Sequence, residues 1–205
     1  MASLVQDVWL GATPRLRGRR LAPYEDAGVR IVFQPDLGAT LDDPDLAAFL
    51  EALAARVDVV AFEPRGQGGS GGRFGPEALD DLVDLLASAP RRWPDGLPVI
   101  VAGHGLGGTL ALAAAGKATA AAALAPSLGG FLGAVELARQ LQFVRVPLLA
   151  LIPRGDAASA PVAQILEGVE SAALLAVPGD GRGLLRSPWV QLLAEWARHP
   201  PAAPP

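Results

Sequence analysis

The chain has 205 residues, 51% hydrophobic and 19% charged, with a formal net charge of -4. That is enough chain to bury a sizeable core, and the balance excludes nucleic acid as the main partner, since phosphate binding rests on clustered cations. Cysteine is absent, which excludes disulfides, a thiol nucleophile and zinc–thiolate sites.

In chain order, "LVQDVWLG" (4–11) and "RLRGRRLAPYE" (15–25) read as an opening antiparallel pair. "VRIVFQP" (29–35) is an inner strand. "DDPDLAAFLEALAARV" (42–57) begins with Asp, Asp and Pro and then spaces its apolar residues as a helix does. "VDVVAFEP" (57–64) is a second inner strand and "RGQGGSGG" (65–72) a loop. "PEALDDLVDLLASAP" (76–90) is a helix with Pro76 in its first turn. "PVIVAG" (98–103) is a third inner strand, and "GGTLALAAAGK" (107–117) the helix after a glycine-rich corner.

The second half repeats the rhythm. "ATAAAALAP" (118–126) is placed as a strand although alanine favours helix. "GAVELARQLQFV" (133–144) is a helix, "VPLLALIP" (146–153) a strand, "PVAQILEGVES" (161–171) a helix, "AALLAVPG" (172–179) a strand and "SPWVQLLAEWARH" (187–199) the last helix. Continuous apolar strands alternating with helices predict a mostly parallel α/β sheet of about eight strands, covered by helices on both faces. Residues 1–199 are expected to form a single domain, and the proline-rich tail 200–205 to be disordered. The opening residues lack the basic start and apolar core of a signal peptide, and the run 118–126 is shorter than the roughly 20 residues of a bilayer span. A soluble, cytoplasmic protein with no membrane partner is therefore expected. Trp9, Trp93, Trp189 and Trp196 are expected in the core.

Function in such sheets gathers at the carboxyl ends of the strands. The stretch "GHGLGG" (103–108) sits there and has two readings. Gly103, Gly105 and Gly108 satisfy the dinucleotide fingerprint G-x-G-x-x-G after a strand. That fingerprint also needs an acid about 20 residues on for the ribose, and none lies between Gly105 and Glu136. The other reading is a nucleophile elbow, G-x-S-x-G, with glycine at its centre.

The chain resembles the α/β-hydrolase superfamily over nearly its whole length. "FEPRGQGGS" is similar to the family's D-x-R-G-x-G-x-S loop, and "VAGHGLGGTLALAAA" to its elbow and following helix. "VPLLALIPRGDAASAP" resembles the strand that ends in the catalytic acid. "LLAVPGDGRGLLRSPWVQLLAEWA" resembles the stretch with the catalytic histidine. The short segment between Pro126 and Val146 makes this a lidless member. The resemblance implies an α/β-hydrolase fold with a degenerate triad. The nucleophile position falls on Gly105, the histidine position on Arg182 and the acid position on Ala157, beside Asp156, which is either a remnant of that acid or, the preferred reading, a loop aspartate. Arg182 is permanently protonated and cannot act as a base. The residues before the oxyanion turn are Pro35, which lacks an amide hydrogen, and Asp36, whose carboxylate opposes an oxyanion. His104 stands before the nucleophile position, where the family's histidine packs.

Serine hydrolysis needs a base within about 2.6–3.2 Å of the nucleophile. Ser70, Ser127 and Ser159 have no histidine near them in sequence, and "RGQGGSGG" lacks the Lys-Ser/Thr ending of a phosphate loop. No metal site and no cofactor are expected. These residues point to a non-catalytic hydrolase-like protein that binds a small molecule or a protein. The alternative is a serine esterase or acyl hydrolase with displaced catalytic residues; a dinucleotide-binding protein comes third. Candidate ligand contacts are Pro35, Asp36, His104, Gly105, Leu106, Ser127 and Arg182. Two expectations are structural: Gly105→Ser is tolerated, and Arg182 pairs with one of Asp36, Asp156 and Asp180, the first two preferred, to close the site; the alternative is that Arg182 turns to solvent and leaves an open cleft over Gly105.

Overall fold

The computed structural model describes residues 4–23 and 26–202. Tyr24 and Glu25, at the end of the second predicted strand, and residues 203–205 of the predicted tail lie outside the described residues.

Among the described residues, strands of five to seven residues form one eight-stranded sheet: β1 (Leu4–Leu10), β2 (Leu16–Ala22), β3 (Arg30–Gln34), β4 (Asp58–Phe62), β5 (Val99–His104), β6 (Ala120–Leu124), β7 (Leu148–Pro153) and β8 (Ala172–Val177), in the order β1-β2-β4-β3-β5-β6-β7-β8. The β1–β2 and β2–β4 pairs are antiparallel and the other five parallel. Strands β3 to β6 are buried on both sides, except for partly exposed Val99 at the start of β5. That burial explains why they read as unbroken apolar runs rather than alternating ones.

Among the described residues, six α-helices cover the sheet: α1 (Pro44–Ala54), α2 (Glu77–Arg92), α3 (Leu106–Ala113), α4 (Ala134–Leu141), α5 (Ala160–Leu166) and α6 (Trp189–Arg198). Leu46, Phe49, Leu50 and Leu53 of α1 join Val190 and Leu193 of α6 over Ile31, Phe33, Val59 and Ile100. On the other face Leu82 and Leu86, Leu110, Leu137 and Leu166 from α2 to α5 cover Val32, Val60 and Val101. The predicted α/β architecture is thus observed, with α1 and α6 on one face and four helices on the other.

Local chemistry explains the boundaries. Asp43 caps α1, accepting from the amides of Asp45 and Leu46, and Pro44 fills a first-turn position that needs no donor. The helix after the corner stops at Ala113, and Ala115–Lys117 is a 3-10 turn. The alanine-rich segment does form a strand, because pairing with β5 and β7 overrides alanine's helical preference. Its small side chains also admit α3 closely: a Cβ at Gly108 would stand 3.3 Å from the Ala123 Cβ.

One core expectation fails. Trp9 is 50% exposed on edge strand β1, with the Arg15 guanidinium 4.5 Å from its ring centre. Trp93 is partly buried instead, stacked under Arg30, whose fully buried guanidinium also binds Asp58 and Asp95 at the opposite end of the sheet from the glycine corner. Among the described residues, no helix is long and apolar enough to cross a membrane.

Candidate functional site

The chain runs from β3 outward to β4, then returns to add β5 on the other side of β3. The carboxyl ends of β3 and β5 therefore flank a reversal of strand order, where such sheets open a crevice. Gln34 pairs with Gly103 there, so the loop after β3 and the glycine corner after β5 lie side by side.

The corner has elbow geometry. Gly105 takes φ +56° and ψ -129° between the end of β5 and the first residue of α3, a backbone state that strains any residue with a side chain. The flanking glycines are required by close approach. A Cβ at Gly103 would overlap the Gly107 backbone, and one at Gly107 would overlap the carbonyl oxygens of Gln34 and Pro35.

Asp36 fills the space above the corner. Its Oδ1 accepts from the Leu106 N–H at 2.8 Å and from its neighbour Leu37 N–H at 2.8 Å. In a serine hydrolase of this corner type, the oxyanion is held by two amides: that of the residue after the nucleophile and one from the loop after the third strand. The two donors gripping Asp36 hold those positions. The donors are therefore not missing, as the Pro35-Asp36 pair implied. They are present and occupied by an internal carboxylate. The same carboxylate caps α3, whose N-cap glycine has no side chain to do so. A Cβ on Gly105 would overlap the Asp36 carboxyl group, so Gly105→Ser, expected to be tolerated, requires Asp36 to leave the two amides.

Arg182 stands at the start of a short 3-10 turn after β8, exposed to solvent. Among the described residues no carboxylate lies within 4.0 Å of it, so the expected ion pair with Asp36 or Asp156 does not form. Each candidate partner is already used. Asp36 holds the two amides. Asp156 accepts from the Ser159 hydroxyl at 2.6 Å and the Ala158 N–H at 3.2 Å, the pattern of a loop aspartate organising its own turn. Asp180 accepts from the Gly183 N–H at 2.8 Å.

His104 does more than pack. Its ring Nε2 donates to the Gly181 carbonyl at 2.8 Å, tying β5 to the loop that carries Arg182. Ser127 is not brought to the cleft; its carbonyl accepts from the Thr109 hydroxyl and its N–H donates to the Gly105 carbonyl. Ser70 accepts from the Arg17 N–H and donates to the Glu63 carbonyl, a structural bridge. Fully buried Ser159 donates only to Asp156.

Around Asp36 lies a cleft of about 280 Å³, whose lining includes Pro35, Asp36, Leu37, Leu46, His104, Arg182 and Leu185. Gly105 and Leu106 do not line it, because Asp36 lies between. Of the candidate contacts, Pro35, Asp36, His104 and Arg182 come together there.

Sequence reading missed the two residues that hold the loop in place. Fully buried Glu63 accepts from the Leu41 and Gly69 amides, and Gln67 accepts from the Gly38 N–H at 2.7 Å. The signal was the glycine run after Glu63: a Cβ at Gly68 would overlap the Glu63 carboxylate. Arg17 reaches Glu63 at 3.3 Å and grips Asp42, and its hydrogen bond pulls the Asp42 carboxyl down to about 2.

A family model described as "Alpha/beta hydrolase family" matches residues 31–204. No curated protein sequence matches the chain. Among solved structures, the esterase Pf2001 of Pyrococcus furiosus is similar at 16% identity, covering 95% of this chain and 89% of that one, with a TM-score of 0.78. An alpha-beta serine hydrolase homologue from Coxiella burnetii is similar at 19% identity over 96% and 97% of the two chains, TM-score 0.74. The esterase domain of a Rhodothermus marinus protein is similar at 18% identity over 95% and 98%, TM-score 0.72.

Proposed function

The chain belongs to the alpha/beta hydrolase family, and we propose that within it this protein is a non-catalytic member that binds rather than hydrolyses. One observation carries the reading: the Asp36 carboxylate sits on the amides of Leu37 and Leu106, above a corner whose central residue is Gly105. A tetrahedral intermediate needs those donors for its developing negative charge, and removing one such donor alone slows an acyl-transfer enzyme by about 10²–10³. Here both are taken by a charge of the same sign as the oxyanion. The position of the nucleophile has no side chain, and the position of the base carries a guanidinium that keeps its proton. Nucleophile, base and oxyanion stabilisation are lost together.

Two of the three similar structures are esterases, so esters are the substrates to try. The test is turnover of a series of nitrophenyl esters from acetate to octanoate. The expected result is release no faster than in buffer alone. Saturable turnover that survives repeated purification would overturn the reading and return the protein to the ester hydrolases with displaced catalytic residues.

A further inference from the structure

The cleft beside Asp36 contains more charged groups than it has charge to offer a ligand. Asp36 is engaged by the Leu37 and Leu106 amides. Asp43 is engaged by the Asp45 and Leu46 amides at the start of α1. Asp45 lies 3.4 Å from the Arg186 guanidinium. Two of these carboxylates neutralise helix N-termini, where negative charge is favoured. Two groups are left over. Arg182 has no carboxylate within 4.0 Å among the described residues. His104, 9% exposed, has spent Nε2 on the Gly181 carbonyl. A carbonyl oxygen only accepts, so Nε2 carries the hydrogen and Nδ1 of the neutral ring is an acceptor. Nδ1 has no hydrogen-bond partner among the described residues.

We propose that this cleft binds a small carboxylic acid with an apolar body, its carboxylate on Arg182 and a donor group of the body on His104 Nδ1. A planar guanidinium with free donors matches a carboxylate in a two-pronged geometry. Pro35, Leu37, Leu46 and Leu185 supply apolar wall. The volume of about 280 Å³ lies at the small end of ligand pockets, which suits a single ring or a short branched chain. An acid cannot enter the two-amide hole, because Asp36 is in it. This assignment rests on the non-catalytic reading, since it places a carboxylate where a reacting ester would otherwise sit.

The experiment is a titration of the full chain, followed by amide nuclear magnetic resonance, with para-hydroxyphenylacetate, phenylacetate and para-hydroxyphenylacetamide. The hydroxy acid should shift the amides of Leu37, His104 and Gly183 saturably, and removing its hydroxyl should weaken binding severalfold. Replacing its carboxylate by the neutral amide, or replacing Arg182→Gln in the protein, should each weaken binding about tenfold. Arg182 is exposed, so the variant should melt with the wild type. No saturable shift at these amides by either acid overturns the proposal, as does equal binding by the neutral amide or by the variant. The same samples are assayed for ester turnover: activity there counts against the non-catalytic reading, and absence of acid binding counts against this site alone.

Discussion

Asp36→Ala removes the acceptor shared by the Leu37 and Leu106 amides, both 2.8 Å from Oδ1. Hydrogen bonds to charged groups contribute about 1.5–3 kcal/mol each when buried. Asp36 is only partly buried and water reaches the emptied donors, so about 1 kcal/mol per bond is the appropriate figure. Loss of a carboxylate from a helix N-terminus adds about 0.5 kcal/mol. The sum is about 2–3 kcal/mol, and for a chain of this size each kcal/mol lowers the melting temperature by about 2–4 °C. Thermal unfolding should therefore shift down by roughly 5–10 °C. Asp36→Asn keeps an oxygen acceptor and loses only the charge, so it should fall by less than half of that. Formate should refill the hole and raise the melting temperature of the alanine variant by more than that of the wild type, as mass action requires. A melting temperature for Asp36→Ala indistinguishable from wild type, or an equal response of both proteins to formate, would refute the assignment of Asp36 to the two-amide hole.

Gly105→Ser should cost about 2–4 kcal/mol, from the strained backbone state and the overlap with Asp36. Combined with Asp36→Gly it should recover at least about 1 kcal/mol relative to the sum of the single changes; a urea-unfolding double-mutant cycle reads this. Arg30→Met leaves Asp58 to Arg20 and Asp95 to solvent, so it should cost only about 1–3 kcal/mol by the same assay. Ala125 holds φ +45° just beyond β6, so Ala125→Gly should be neutral or stabilising by up to about 1 kcal/mol in thermal melts. Asp42 and Glu136 are each held at about 2, first by hydrogen bonds from Arg17 and Arg139, and Asp95 is lowered by Arg30. A depressed folded-state value stabilises above the unfolded value near 4 and is lost as pH falls towards 2. The urea midpoint should thus be flat from neutral to about pH 5 and drop between about pH 4 and 2.

The sheet was legible because its strands are buried on both faces and its helices begin with local signals such as Asp43-Pro44. The elbow was legible because close approach leaves Gly103 and Gly107 no alternative. What escaped was how charges pair across the chain. Asp36 and Leu106 are 70 positions apart, and nothing local to either shows that the carboxylate occupies the space above Gly105. The expectation that Arg182 pairs with a carboxylate assumes that it is buried; it is exposed, so no ion pair is needed to keep its charge. Glu63 was read only as part of a loop motif, because its partners Leu41 and Gly69 are backbone amides that any residue could supply. Trp9 follows the composition of a core residue but sits on an edge strand, where Arg15 covers it.

The central claim is that no serine of this protein is activated, whatever its substrate. Incubation of the full chain with a fluorophosphonate, followed by intact mass measurement, tests this without any knowledge of the natural ligand. The account predicts an unmodified mass after prolonged exposure. Stoichiometric addition of one phosphonyl group, mapped to Ser70, Ser127, Ser159 or any other serine, would contradict it.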